Sequence, residues 1–301
     1  MESPLPPRLR VLYPFVPYVT ECEGNRLSRV DEGGGGETVV MLHGNPTWSF
    51  FYRDMILALR GDFRCVAPDH LGCGLSDKPQ RADYTLAGHI RRTVAVLEAA
   101  EVADFHLVVH DWGGAIGFGV ARELGERVRS ITVLNTAAFP YTRLPFRIAV
   151  CRWPLLGTLL VRGLNGFVEA ATRMTTVRSL PPAVADGYRF PYPDWRSRVG
   201  VNAFVKDIPM GQRHRSWPTL MQIEESLADW KTRPLQILWG RRDWCFHDGI
   251  LAEWQRRFPD APVHEFPEAG HYLLEDAGEE VVSEVRAFVR LKGRNVVANG
   301  R

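Results

Sequence analysis

Short apolar runs alternate with segments of helical period along most of this chain. Residues 38–42, 63–67, 105–109, 131–134, 235–239 and 263–266 read as strands. In the first of them, Thr-Val-Val-Met-Leu, no polar face is left, as burial on both sides of a parallel sheet requires. Between them, residues 50–60, 85–100, 115–124, 249–258 and 279–292 bring apolar side chains back every three or four positions, which predicts helices with one buried face. Strands and helices in this order argue for an α/β fold: a mostly parallel sheet with right-handed crossovers, flanked by helices. Two further short strands are expected at 11–19 and 26–31, the second leading into a turn of four consecutive glycines, Gly33 to Gly36. Residues 1–10 are proline-rich and expected to be loosely ordered.

The rhythm breaks between residues 137 and 218, where helical stretches, prolines and aromatics replace the buried strands. We read this as an inserted helical cap. The expected organisation is a core in two parts, 1–136 and 219–292, with the cap at 137–218 and a flexible tail at 293–301. At the front of the cap Arg143, Arg147, Arg152 and Arg162 interleave with leucines and aromatics. That pattern suits a cap helix lining an apolar substrate tunnel, and it also suits a segment that docks on a surface.

Composition narrows the function classes. A chain of 301 residues with 45% hydrophobic side chains can bury a full core. Its net charge of +2, with both signs mixed along the chain, leaves no nucleic-acid footprint, so a small ligand or a protein partner is expected. The first thirty residues hold no continuous apolar stretch of the kind that directs export, and a soluble, cytoplasmic protein is expected. Five cysteines lack metal-ligand spacing; no metal and no cofactor are expected.

The candidate chemistry starts at residues 107–114, Leu-Val-Val-His-Asp-Trp-Gly-Gly, where an apolar run stops at a carboxylate and a helix begins. A strand, a tight elbow and a helix would put Asp111 at the tip, near the positive end of the helix. The serine form of such an elbow is Gly-x-Ser-x-Gly; here the nucleophile would be aspartate and the first small residue is Val109. Taken alone, the stretch also describes an aspartate that caps a helix after a core strand. Two more groups fall at strand ends: Asp243 after Leu-Trp-Gly-Arg-Arg, and His271 in Gly-His-Tyr. The order nucleophile, acid, base is that of hydrolase triads on a parallel sheet.

With His43-Gly44-Asn45-Pro46, Asp69 through Pro79, His110 to Gly114, Trp239-Gly240 and Gly270-His271-Tyr272, the chain resembles the haloalkane dehalogenases of the α/β-hydrolase superfamily over about residues 12–290. Leu134 to Pro140 and Trp239 to Phe246 are similar to the third subfamily, which includes the β-lactone decarboxylases of long-chain olefin synthesis. The resemblance implies Asp111 as nucleophile, His271 as base, Asp243 as acid, and Asn45 with Trp112 as the halide-binding pair. Chemistry agrees: an ionised carboxylate attacks a saturated carbon without a base and forms an ester, which water activated by His271 then cleaves. The backbone N–H groups of Asn45 and Trp112 would hold the oxyanion of that second step.

The leading expectation is a dehalogenase-like hydrolase acting on a small apolar substrate and releasing halide, and the alternative is a β-lactone decarboxylase using the same nucleophile. Epoxide hydrolysis is a further alternative, kept open by Tyr141, Tyr188 and Tyr192. A fold that has lost catalysis and serves as a ligand receptor is the reading from a different class. A homo-oligomer or a complex with pathway enzymes is possible on this pattern. Asn135, where some dehalogenases carry a glutamate as the triad acid, is expected only to bond backbone.

Overall fold

The structure, a computed structural model, describes residues 5–141 and 143–298. Eight strands, β1 (Tyr18–Cys22), β2 (Asn25–Glu32), β3 (Thr38–Leu42), β4 (Arg64–Pro68), β5 (Phe105–His110), β6 (Val128–Leu134), β7 (Leu235–Gly240) and β8 (Val263–Phe266), form one sheet in the order β1-β2-β4-β3-β5-β6-β7-β8. The first two pairings are antiparallel, and every pairing from β4 onward is parallel. β3 and β5 lie at the centre with every residue buried, which is why their sequences lack a polar face.

Two cores cover the two faces of the sheet. On one, the helices Leu86–Ala99, Trp112–Glu123 and Asp248–Arg257 bury Ile90, Phe118 and Trp254 against β5 and β6. On the other, the helices Arg53–Leu59 and Leu273–Ala298 bury Ile56, Val281 and Val285. Between β6 and β7 the chain leaves the sheet through the helices Phe146–Cys151, Gly166–Met174, Pro182–Arg189 and Val199–Asp207, of which the first, second and fourth line a cavity with Asp111 at the carboxyl end of β5, and it returns through Trp217–Ser226, which packs on Trp112–Glu123 and Leu86–Ala99.

Three expectations need correction. The strand expected at 11–19 lies at Tyr18–Cys22, because Tyr13 and Phe15 leave the sheet to pack into the core beside Trp48. The N-terminal segment is also tied down: Pro7–Arg10 is a helical turn with Leu5 and Leu9 buried, while residues 1–4 lie outside the described residues. The last helix begins at Leu273, is broken at Ala277, and continues to Ala298, so the expected tail starts inside it; residues 299–301 lie outside the described residues.

Candidate active site

The elbow forms as β5 ends. Asp111 takes φ 51° and ψ −125°, a conformation disfavoured for a residue with a side chain, and it is held there by neighbours on both sides. Its N–H donates to the Asn135 carbonyl at 3.3 Å, and its own carbonyl accepts from Gly114 N–H at 3.0 Å and from the Thr136 hydroxyl. Gly113 is required because a Cβ there would collide with the Leu42 carbonyl. Gly44 is required because the chain after β3 passes against the Asp111 carboxylate itself. That passage lets Asn45 N–H donate to Asp111 Oδ1 at 2.7 Å.

His271 and Asp243 arrive from the loops after β8 and β7. His271 Nδ1 is 2.8 Å from Asp243 Oδ2, and His271 Nε2 is 3.5 Å from Asp111 Oδ2. All three side chains are buried or nearly so, with Asp111 the most accessible at 12%. Asp243 Oδ1 accepts two backbone N–H groups, from Cys245 at 2.6 Å and Phe246 at 3.0 Å. Burial works against a charge on His271, yet Asp243 and Asp111 outweigh it and carry its pKa up to about 10. Burial likewise pushes the Asp111 carboxyl up, but the hydrogen bond and charge of His271, with the Asn45 amide, hold it below its ordinary value. The two shifts run in opposite directions, and both favour an ion pair between His271 and Asp111.

The alpha/beta hydrolase fold pattern matches residues 37–278. This chain belongs to that family. It is 41% identical over 288 residues to a cis-3-alkyl-4-alkyloxetan-2-one decarboxylase of Shewanella oneidensis, covering 93% of this chain and 90% of the relative. It is 34% identical over 279 residues to a haloalkane dehalogenase of Mycobacterium tuberculosis, covering 91% and 95% of the two chains. Among solved structures it is similar to the haloalkane dehalogenase DatA of Agrobacterium tumefaciens, with a TM-score of 0.82, 25% identity and coverage of 92% and 97%.

In this α/β-hydrolase Asp111 and His271 line a cavity of about 210 Å³, and Asp243 is buried behind His271. Phe139, Ile148, Phe167, Met174, Val205 and Phe246 supply much of the apolar lining, and the Phe246 ring stacks on the His271 imidazole with centroids 5.5 Å apart. Asn45 and Trp112 both line the cavity beside Asp111. Asn45 Nδ2 donates to the Val201 carbonyl at 3.3 Å and keeps a second N–H, while the Trp112 indole N–H has no partner among the described residues.

The three tyrosines separate. Tyr188 donates to Glu275, and Tyr192 is buried in a separate cluster with Val161, Val168 and Val201; neither lines the cavity. Tyr141 does, with its Oη 2.7 Å from His247 Nε2. Since Gly249 N–H donates to His247 Nδ1 at 3.0 Å, the proton of a neutral His247 sits on Nε2 and is given to Tyr141. The Tyr141 hydroxyl hydrogen is then left for the cavity.

Asn135 does more than bond backbone. Its amide donates to the Gly240 carbonyl and to Asp243 Oδ2, both at 3.0 Å, and its Oδ1 accepts Gly240 N–H at 2.8 Å. It thus ties the end of β6 to Asp243. Sequence reasoning also missed His110, whose Nε2 donates to the His271 carbonyl at 2.8 Å and whose pKa burial pushes down to about 3, so that it stays neutral. The one available signal was a polar side chain ending a wholly buried strand, a place where each polar atom needs a partner.

Proposed function

We propose that this α/β-hydrolase is a β-lactone decarboxylase that converts a cis-3,4-dialkyl-oxetan-2-one into an alkene and carbon dioxide, with Asp111 as nucleophile and residues 137–218 as the cap over the substrate. The observation that carries the reading is an ionised aspartate at the floor of an apolar cavity, facing hydrogen-bond donors rather than a second free carboxylate. The choice of a lactone over a haloalkane is supported by the greater identity to the oxetanone decarboxylase, 41% against 34%.

Asp111 attacks C4 of the ring, and the C4–O1 bond breaks with inversion, leaving an alkyl ester on Asp111 and a free carboxylate on C3. The C2–C3 pair then forms the double bond, carbon dioxide departs, and the C4–O bond returns its electrons to Asp111. Inversion followed by anti elimination amounts to syn loss, so a cis ring yields a cis alkene. No water is consumed and no proton moves. The upward shift of the His271 pKa suits this sequence, because a proton on Nε2, which lies 3.5 Å from Asp111 Oδ2, stabilises the carboxylate as it leaves. Trp112, Asn45 and Tyr141 supply donors for the newly freed carboxylate.

Haloalkane hydrolysis is the second reading, favoured by the unpartnered Trp112 indole N–H and the free Asn45 N–H beside the nucleophile. There the ester neutralises Asp111, the His271 pKa falls, and the imidazole becomes the base that activates water. Epoxide hydrolysis loses support because only Tyr141 of the three tyrosines reaches the cavity.

The deciding experiment supplies a brominated alkane series and a long-chain cis β-lactone in parallel, following bromide release and alkene formation with Asp111→Ala as control. Rapid alkene formation with trace bromide is expected, and no turnover in the variant. Bromide release as fast as lactone turnover would favour the dehalogenase. Undiminished turnover in Asp111→Ala would refute both.

A further inference from the structure

The segment at the mouth of the cavity has an outer face that nothing among the described residues covers. Phe146 is 73% exposed, Leu155 87%, Leu159 53% and Leu164 67%. Leu155 is held outward at a backbone cost: it sits at the centre of a tight turn with φ 57° and ψ −61°, closed by Leu156 N–H donating to the Pro154 carbonyl at 2.6 Å. Residues 143–165 hold four arginines and no acidic residue. None of the four forms an ion pair among the described residues, although most of the other arginines do. Arg152 and Arg162 donate to the backbone carbonyls of Ile208 and Trp195 instead, and Arg147 lies over the Trp244 ring. The inner side of this segment lines the cavity with Leu144, Pro145 and Ile148, and Arg143 and Arg147, both exposed, stand at its mouth.

We propose that this face docks the protein on an anionic lipid surface, with the leucines and Phe146 entering the headgroup boundary and the arginines meeting lipid phosphates. Charge selects this occupant. A second copy meeting the face about a two-fold axis would set a segment of unpaired arginines against its own like charge. A protein partner would have to cover a leucine cluster with an apolar core while also matching the arginines around it, whereas an anionic bilayer presents acyl chains beneath a continuous layer of negative charge. Such docking opens the cavity toward lipid, where a long-chain alkene partitions. The product ties the surface to the proposed activity, but the surface chemistry stands without it.

The test uses the full chain with sedimenting vesicles of phosphatidylglycerol or of phosphatidylcholine, in low and high salt. Binding to phosphatidylglycerol at low salt, weakened by high salt and nearly absent on phosphatidylcholine, is expected. The variant Leu155→Ser with Leu159→Ser, changed at two exposed positions that do not line the cavity, should bind roughly tenfold or more weakly and keep the parent circular dichroism spectrum. Equal binding to both lipids, no binding, or unchanged binding by the double variant would overturn the proposal. So would a dimer that the two serines dissolve in the absence of lipid. Turnover of a short, water-soluble β-lactone, measured without vesicles, reports on the catalytic reading alone: its failure would sink that reading and leave the vesicle result standing.

Discussion

Asn135 carries the least expected role among the single side chains. It has φ 32° and bridges Gly240 to Asp243, so Asn135→Gly keeps the backbone conformation and removes only the amide. Freed of that bond, the triad acid can swing, and small misplacements of reacting groups are costly; kcat should fall on the order of tenfold to a hundredfold with KM little changed. Steady-state kinetics on the lactone decide this, and an unchanged kcat would remove Asn135 from the positioning machinery. Tyr141 offers a sharper contrast between the two candidate reactions. A freed carboxylate has two oxygens to satisfy, whereas in the haloalkane reading a departing halide would be met by Asn45 and Trp112 alone. Tyr141→Phe should therefore slow alkene formation roughly tenfold or more while changing bromide release little. Equal losses with the two substrates would count against the role given to its hydroxyl.

Placement of His271 depends on how the last helix is anchored. Arg53, on the helix after β3, forms a two-pronged ion pair with Glu275 at 2.6 and 2.9 Å, and Tyr188 adds a third bond to the same carboxylate. Both partners are almost wholly buried, with side chains 6% and 7% exposed. Asp276, one residue on, accepts N–H groups from Gly270 at 2.8 Å and from Val177 at 2.9 Å, binding the histidine loop to the segment above the sheet. Arg53→Met would leave the Glu275 charge buried with only a tyrosine for company, which typically costs about 3–5 kcal/mol. Urea unfolding should show that loss, with part of it recovered when Glu275→Gln is added. A single variant as stable as the parent would show that the pair contributes nothing net.

The ion-paired triad also makes global stability depend on pH. The His271 pKa is raised from 6.5 to about 10, so the folded chain keeps a proton that the unfolded chain has released. Its contribution is fully present below about pH 6.5 and is lost as pH rises through about 10. The Asp111 pKa is lowered, so its contribution has the opposite sense: present above its unfolded value of 3.8 and lost as pH falls through the lower folded value. His271→Gln should flatten the decline in unfolding free energy between about pH 7 and pH 9. Denaturant titrations at successive pH values check this, and an equally steep decline in the variant would locate the alkaline sensitivity elsewhere.

Period and punctuation were enough to read the sheet and to expect Asp111, Asp243 and His271 in one cleft. The short, β-branched apolar runs of β3 and β5 read as buried strands, and the carboxyl ends of parallel strands converge on one cleft, so Asp111, Asp243 and His271 could be gathered from the chain before any distance was known, with Asn45 added by the family resemblance. What depends on two distant segments meeting left no such mark. Leu5 and Leu9 fill a core that their local sequence does not announce, and Tyr13 and Phe15 turn a strand-like run into a packed loop. Asn135 and His110 gain their roles only because β6, β7 and the histidine loop come together in space. The tyrosines are alike in sequence and differ in their neighbours: Tyr188 meets Glu275, Tyr192 an apolar cluster, and Tyr141 a histidine whose tautomer is set by Gly249. Local propensity governs which element a segment forms, but a hydrogen bond or a raised pKa belongs to a pair of groups, and only folding brings the pair together.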